Sequence, residues 1–133
     1  MLEKLDHIGI AVKDLDRAIK LYKNVFGIEP SLVYESAYTK AKIAFIQIGE
    51  IRIELIQPSN PESVIGKFLE KKGEGIHHIS FKVKDVDQSL VEIESKGVQL
   101  IDKKSRQVRE NERVAFLHPK STNGVLFELI QEG

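Results

Sequence analysis

LDHIGIAVKDLDRA (residues 5–18) and IHHISFKVKDVDQS (residues 76–89) are two versions of one segment. Laid over each other at an offset of 71 residues, they agree at six of fourteen positions: His7/His78, Ile8/Ile79, Val12/Val83, Lys13/Lys84, Asp14/Asp85 and Asp16/Asp87. A second match lies downstream. The tetrapeptide ELIQ occurs at Glu54–Gln57 and again at Glu128–Gln131, at an offset of 74. Two matches at nearly one offset indicate an internal duplication. Two copies are too few for a solenoid, so they are expected to close on each other.

Each copy reads as strand, helix and three strands. The opening strands, about 4–12 and 76–83, alternate apolar and polar residues. Asp14 and Asp85 then stand where a helix N-cap belongs. Ala18, Ile19, Tyr22 and Phe26 follow at helical spacing in the first copy, and Val86, Leu90 and Ile93 in the second. Gly27 and Gly97 are the stops. Strand-like runs come next at about 31–36, 41–48 and 50–57, then at about 98–102, 112–118 and 124–131. Asn123-Gly124 carries a hairpin signal. Between the copies, residues of about 58–75 read as a linker helix. Pro61 is expected in its first turn, Val64, Ile65, Phe68 and Leu69 on its apolar face, and Gly73 at its end. The expected fold is α+β: two tandem βαβββ modules, about 4–57 and 76–131, in a single domain over 1–133. They should form one cup-shaped mixed sheet with the helices on its outer face.

Composition bounds the partners. The chain has 133 residues, enough for one domain. Acidic and basic residues balance at 20 each, so no overall field favours nucleic acid or a membrane surface. With no cysteine, disulfides, thiolate metal sites and cysteine nucleophiles are excluded. No apolar run approaches the roughly 20 residues that span a bilayer, and no leader is visible before the first strand. A cytoplasmic protein is the expectation.

Strand alternation places the polar residues. Ile8, Ile10 and Val12 should meet the helix, as should Ile51, Ile53 and Leu55, and in the second copy Ile79, Phe81 and Val83 with Val125, Phe127 and Leu129. His7, Glu54, His78 and Glu128 then share the opposite side, one His and one Glu from each copy. A single histidine or glutamate on a strand is ordinarily just a solvated polar residue. The symmetric recurrence of the pair sets these four apart. Two imidazoles and two carboxylates suit a divalent ion such as cobalt, manganese, nickel, iron or zinc. At the floor of a cup the ion would keep open positions, as catalytic sites do. His77 points to the other face and is expected to be structural or to support a metal ligand from behind. His118, in FLHPK, is assigned to a turn.

On LDHIGIAVKDLDRAIKLYKNVFG, ELIQPSNPESVIGKFLEKKGEGIHHISFKVKDVD and FLHPKSTNGVLFELIQ, the chain resembles the vicinal oxygen chelate superfamily, and within it the methylmalonyl-CoA epimerase family. The resemblance implies paired βαβββ modules around a metal. It places the metal ligands at His7, Glu54, His78 and Glu128, with Gln in some members where this chain has Glu54. The ion expected is one per chain, cobalt ahead of manganese, nickel, magnesium or zinc. The implied substrate is an acyl-CoA, a malonyl-type thioester with a methyl group on C2. The metal would stabilise the enolate formed when C2 loses its proton, and Glu128 is the candidate catalytic base. A homodimer is also implied.

This chain departs from the family at two places. Some members carry a second glutamate on a middle strand of the first half, but KAKIAFI (40–46) has no carboxylate; Glu35, Lys42 and Glu50 are the nearest substitutes. The second departure is KSRQVRENER (104–113), where relatives are rich in glycine. Its Lys104, Arg106, Arg109 and Arg113 are candidates to hold CoA phosphates, with Lys120 as a further substrate-binding residue. An ordinary solvated loop is the equal alternative. Rival functions are a glyoxalase I-like lactoylglutathione lyase, an extradiol dioxygenase of the same fold, and a metal-free module that binds a small ligand or drug.

Overall fold

The computed structural model describes residues 1–133 and divides into two compact units, His7–His77 and Met1–Asp6 with His78–Gly133. The element order is β1 (Lys4–Ala11), α1 (Leu15–Leu21, continued as a π-helical turn over Tyr22–Phe26), β2 (Leu32–Ser36), β3 (Ala41–Ile48), β4 (Ile51–Pro58) and α2 (Val64–Lys72). It continues with β5 (Gly75–Lys82), α3 (Val86–Ser95), β6 (Arg106–Arg109), β7 (Glu112–Leu117), a 3-10 turn (Pro119–Ser121) and β8 (Phe127–Glu132). The class is α+β, built as two βαβββ modules.

The two units repeat one topology. In the first, the strands run β2-β3-β4-β1, with β4 parallel to β1 and the other pairs antiparallel. In the second they run β6-β7-β8-β5, with β8 parallel to β5. The helices start alike. Asp14 and Asp85 take nearly the same extended backbone, and their side chains accept from Arg17 N–H at 3.1 Å and Gln88 N–H at 3.0 Å. Gly27 ends the first helix with φ of 68°, a left-handed conformation that suits glycine. The cores match position by position. Val12, Leu15, Ala44 and Leu55 are buried together in the first unit; Val83, Val86, Ala115 and Leu129 are buried together in the second. This is the helix-facing apolar side that alternation predicted.

Three expectations are corrected. Residues 98–102 do not form a strand; Leu100 makes only an isolated bridge to Leu117. The missing strand of the second module is Arg106–Arg109, inside the run expected to be a charged loop. It is an edge strand, where charged residues are tolerated and no apolar alternation shows. Asn123-Gly124 does not close a two-residue hairpin. Both have positive φ, 62° and 82°, but they lie within a longer β7–β8 loop that begins with the 3-10 turn. Tight turns occur instead at Gly49-Glu50 and Glu110-Asn111. Finally, Pro61 lies ahead of α2. Ser63 is the N-cap and accepts from Gly66 N–H at 3.1 Å, while Gly73 ends the helix as expected. Gly66 lets that turn press on the helix, since a Cβ there would stand 2.6 Å from the Pro61 carbonyl oxygen. No helix is long and apolar enough to cross a membrane.

Candidate metal centre

Each ELIQ does two jobs because its ends are an odd number of residues apart. Glu54 and Glu128 point away from the helices. Gln57 and Gln131 point toward them, and their Oε1 atoms accept from the first amides of the helices: Leu15 N–H at 2.8 Å and Val86 N–H at 2.9 Å. The tetrapeptide therefore ties a strand to a helix on one face and presents a carboxylate on the other.

The first unit holds one His–Glu pair. His7 on β1 and Glu54 on β4 are 2% and 9% exposed, and Nε2 of the histidine lies 3.4 Å from Oε1 of the glutamate. The second unit holds another. His78 on β5 and Glu128 on β8 are 4% and 6% exposed, with the same two atoms 3.9 Å apart. The second separation exceeds hydrogen-bond length. Ligands about 2.1 Å from a common ion stand roughly 3 to 4 Å from each other, so both separations fit two donors of one divalent ion. Neutral imidazole and carboxylate are also the donor types such ions take in catalytic sites.

Sequence reasoning missed the residues that brace these pairs. Phe45 on β3 is in register with Glu54, and its ring stands edge-on to His7, with centroids 5.8 Å apart and planes at 77°. Phe116 on β7 is in register with Glu128 and meets His78 in the same way, at 5.7 Å and 84°. An arginine covers each phenylalanine: Arg52 at 4.1 Å from the Phe45 centroid and Arg106 at 5.6 Å from that of Phe116. The signal was present in the chain. IAFI (43–46) and VAFL (114–117) share the 71-residue offset of the histidines. A rigid ring against each imidazole restricts its rotamers and so aims its donor nitrogen.

The other expected residues are placed as follows. Lys42 pairs with Gln57 and Glu35 with Lys42, so both lie on the helix side, opposite Glu54. Glu50 lies in the β3–β4 turn. None of the three shares a face with Glu54, the one carboxylate on that side of β1–β4. Arg106 lies on the Glu128 side, stacked on Phe116 and 3.4 Å from Asp102. Arg109 is 3.4 Å from Glu112. Arg113 is on the helix side in register with Gln131, and its guanidinium donates to Ser105 Oγ at 2.7 Å and to the Ser105 carbonyl at 3.0 Å. It braces the loop before β6 instead of being presented beside Glu128. The same knot contains Asp87. Its carboxyl is held below the usual carboxylate range, first by the Ser105 backbone N–H, against the opposing effect of burial, then by the Ser105 hydroxyl and the nearby Arg113 and Lys104 cations. Lys120 lies in the 3-10 turn, where its backbone N–H donates to His118 Nδ1 at 3.0 Å, giving His118 the turn role expected of it. His77 packs edge-on against Phe68 of α2 at 5.0 Å.

Comparison with known proteins adds a family. The profile described as Glyoxalase/Bleomycin resistance protein/Dioxygenase superfamily matches residues 6–116. The protein YqjC of Bacillus subtilis is 40% identical over 98% of this chain and 93% of its own length. The ethylmalonyl-CoA/methylmalonyl-CoA epimerase of Cereibacter sphaeroides is 34% identical over 98% of this chain and 99% of its own. Among solved structures, a variant methylmalonyl-CoA epimerase of Streptomyces coelicolor, in complex with 2-nitronate-propionyl-CoA, superposes with a TM-score of 0.93. It is 35% identical, covering 100% of this chain and 96% of its own.

Proposed function

The chain belongs to the glyoxalase/bleomycin resistance protein/dioxygenase superfamily, and we propose that within it this protein is an isomerase that epimerises methylmalonyl-CoA at C2. The observation that carries the proposal is the pair of matched half-sites, each a buried histidine and glutamate braced by a phenylalanine, in a chain that aligns end to end with epimerases of this substrate.

In this reading His7, Glu54, His78 and Glu128 are the ligands of one divalent ion, cobalt ahead of manganese, nickel, magnesium or zinc. When bound, the ion stabilises the negative charge that develops as C2 is deprotonated. The chain's own residues move the proton. Glu128 takes it from one face of C2, and the electron pair of the broken C–H bond delocalises into the thioester carbonyl. A proton must then be returned on the opposite face. With Glu35, Lys42 and Glu50 off the site face, Glu54 is the group of the first module that can carry it. The protonation states of the two glutamates at the start of the reaction exchange between the epimers. Arg106, Arg109 and Lys120 are assigned to the CoA phosphates, and Arg113 to support of the loop. Two chains form a homodimer in the cytoplasm.

The test is proton exchange at C2 of methylmalonyl-CoA in deuterated water, followed by NMR, with and without chelator. Uptake that stops with chelator and returns with cobalt supports the proposal. No uptake, with the hemithioacetal of methylglyoxal and glutathione isomerised instead, would assign the chain to lactoylglutathione lyase chemistry. A protein that carries no metal and turns over neither substrate is a binding module.

A further inference from the structure

The two half-sites differ at one position. In the first module the residue in register with Glu54 on the neighbouring parallel strand is Gly9; in the second, the residue in register with Glu128 is Ser80. Ser80 follows His78 by two residues on β5 and so shares its face. It is fully buried, at 0% exposure, and its hydroxyl has no hydrogen-bond partner in the structure. A buried hydroxyl left unsatisfied lowers stability, and a β-strand accepts alanine or glycine here at no such cost, as Gly9 shows. With no route to solvent, a partner for Ser80 must come from beside it. Adjacent strands lie about 4.8 Å apart, which brings the Glu128 carboxylate within reach of a serine rotamer.

We propose that Ser80 is a positioning residue for Glu128. When the site holds its ion, the hydroxyl donates to one carboxylate oxygen of Glu128 and so decides which oxygen faces the ion and which faces C2. The inference rests on the metal reading above and extends it. It makes the two glutamates unequal, since Glu54 faces a glycine and has no such donor from that strand. Stability is given up in the metal-free protein for order in the loaded one, a trade typical of functional sites.

The experiment compares wild type, Ser80→Ala and Ser80→Cys by titrating cobalt or manganese into metal-free protein, by melting the metal-free forms, and by steady-state kinetics at saturating metal. Removing a hydrogen bond that orients a ligating carboxylate costs about tenfold or more in metal affinity. Ser80→Ala should therefore bind the ion about tenfold more weakly. Its kcat should fall with KM little changed, and its metal-free melting temperature should equal or exceed that of wild type. Ser80→Cys, with a similar shape and a weaker donor, should fall between. A hydroxyl with a purely structural role would show the reverse, a lower metal-free melting temperature with affinity unmoved. Affinity within twofold of wild type in Ser80→Ala overturns the inference whatever the melting temperature does. A wild-type protein that binds neither ion overturns the metal reading itself, and the inference with it.

Discussion

Replacing Gln131 by alanine should cost this protein several degrees of melting temperature without touching the site face. The Gln131 side chain accepts from the first amide of α3, and Val86, which carries that amide, is fully buried. Asp85 already serves the amide of Gln88, so it does not offer an obvious replacement. Alanine would leave the part-buried Val86 N–H without its acceptor, a loss of about 1–3 kcal/mol. For a domain of this length, 1 kcal/mol corresponds to roughly 4 °C at the transition, so the expected fall is about 4–12 °C. Gln131→Glu keeps an acceptor and adds negative charge at a helix N-terminus, where it is tolerated; it should stay close to wild type. Amide exchange read residue by residue separates the local effect from a global one. The Val86 amide should lose protection in Gln131→Ala beyond its neighbours, and the Leu15 amide should do so only in Gln57→Ala. A Gln131→Ala protein that melts within 1 °C of wild type, with Val86 still protected, would refute the strand-to-helix role of the repeated glutamine.

Three further outcomes are expected. His7→Ala and His78→Ala should each abolish binding of the proposed ion, measured by elemental analysis of the purified protein; full metal content in both would dismantle the metal assignment. At saturating metal, Glu128→Gln and Glu54→Gln should each lose on the order of 100- to 10,000-fold in epimerisation, while C2 deuterium uptake survives from one epimer in each variant, a different one in the two; near-native turnover in either removes that residue as a proton carrier. Asp87→Asn concerns acid stability. Because the folded pKa of Asp87 is lowered, its contribution is present above the unfolded value near 3.9 and is lost as pH falls through the folded value. The variant should therefore be less stable than wild type at pH 7, by no more than about 1 kcal/mol for so exposed a group, and should converge with it in strong acid. Urea midpoints at the two pH values check this.

Much of the fold was legible because period and duplication are properties of the chain itself. Two copies of one segment, with the same cap, the same alternation and the same tetrapeptide, imply two βαβββ modules whatever they pack against. Parity along a strand then sorts His7, Glu54, His78 and Glu128 onto one side without any coordinates. The misplaced strand shows where that logic stops. Arg106–Arg109 pairs only along one edge, so burial leaves no apolar stripe in its sequence, while 98–102 has the apolar residues and makes only an isolated bridge at Leu100.

Register was beyond the sequence, and register decides the site. Whether Phe45 or a neighbour stands against Glu54, whether Lys42 and Glu35 reach the carboxylate side, and whether Arg113 is offered to a ligand or consumed by Ser105 all depend on how strands align. A slip of one residue would reverse every answer. The sequence by itself determined the duplication, the secondary-structure period and the residue types suited to a divalent ion, since each follows from local chemistry along the chain. Only the tertiary structure decided which phenylalanine braces which histidine, which glutamine caps which helix and which hydroxyl is sealed beside Glu128. Those are contacts between residues 38 to 48 positions apart, and hydrogen-bond geometry between strands, not local preference, selects them.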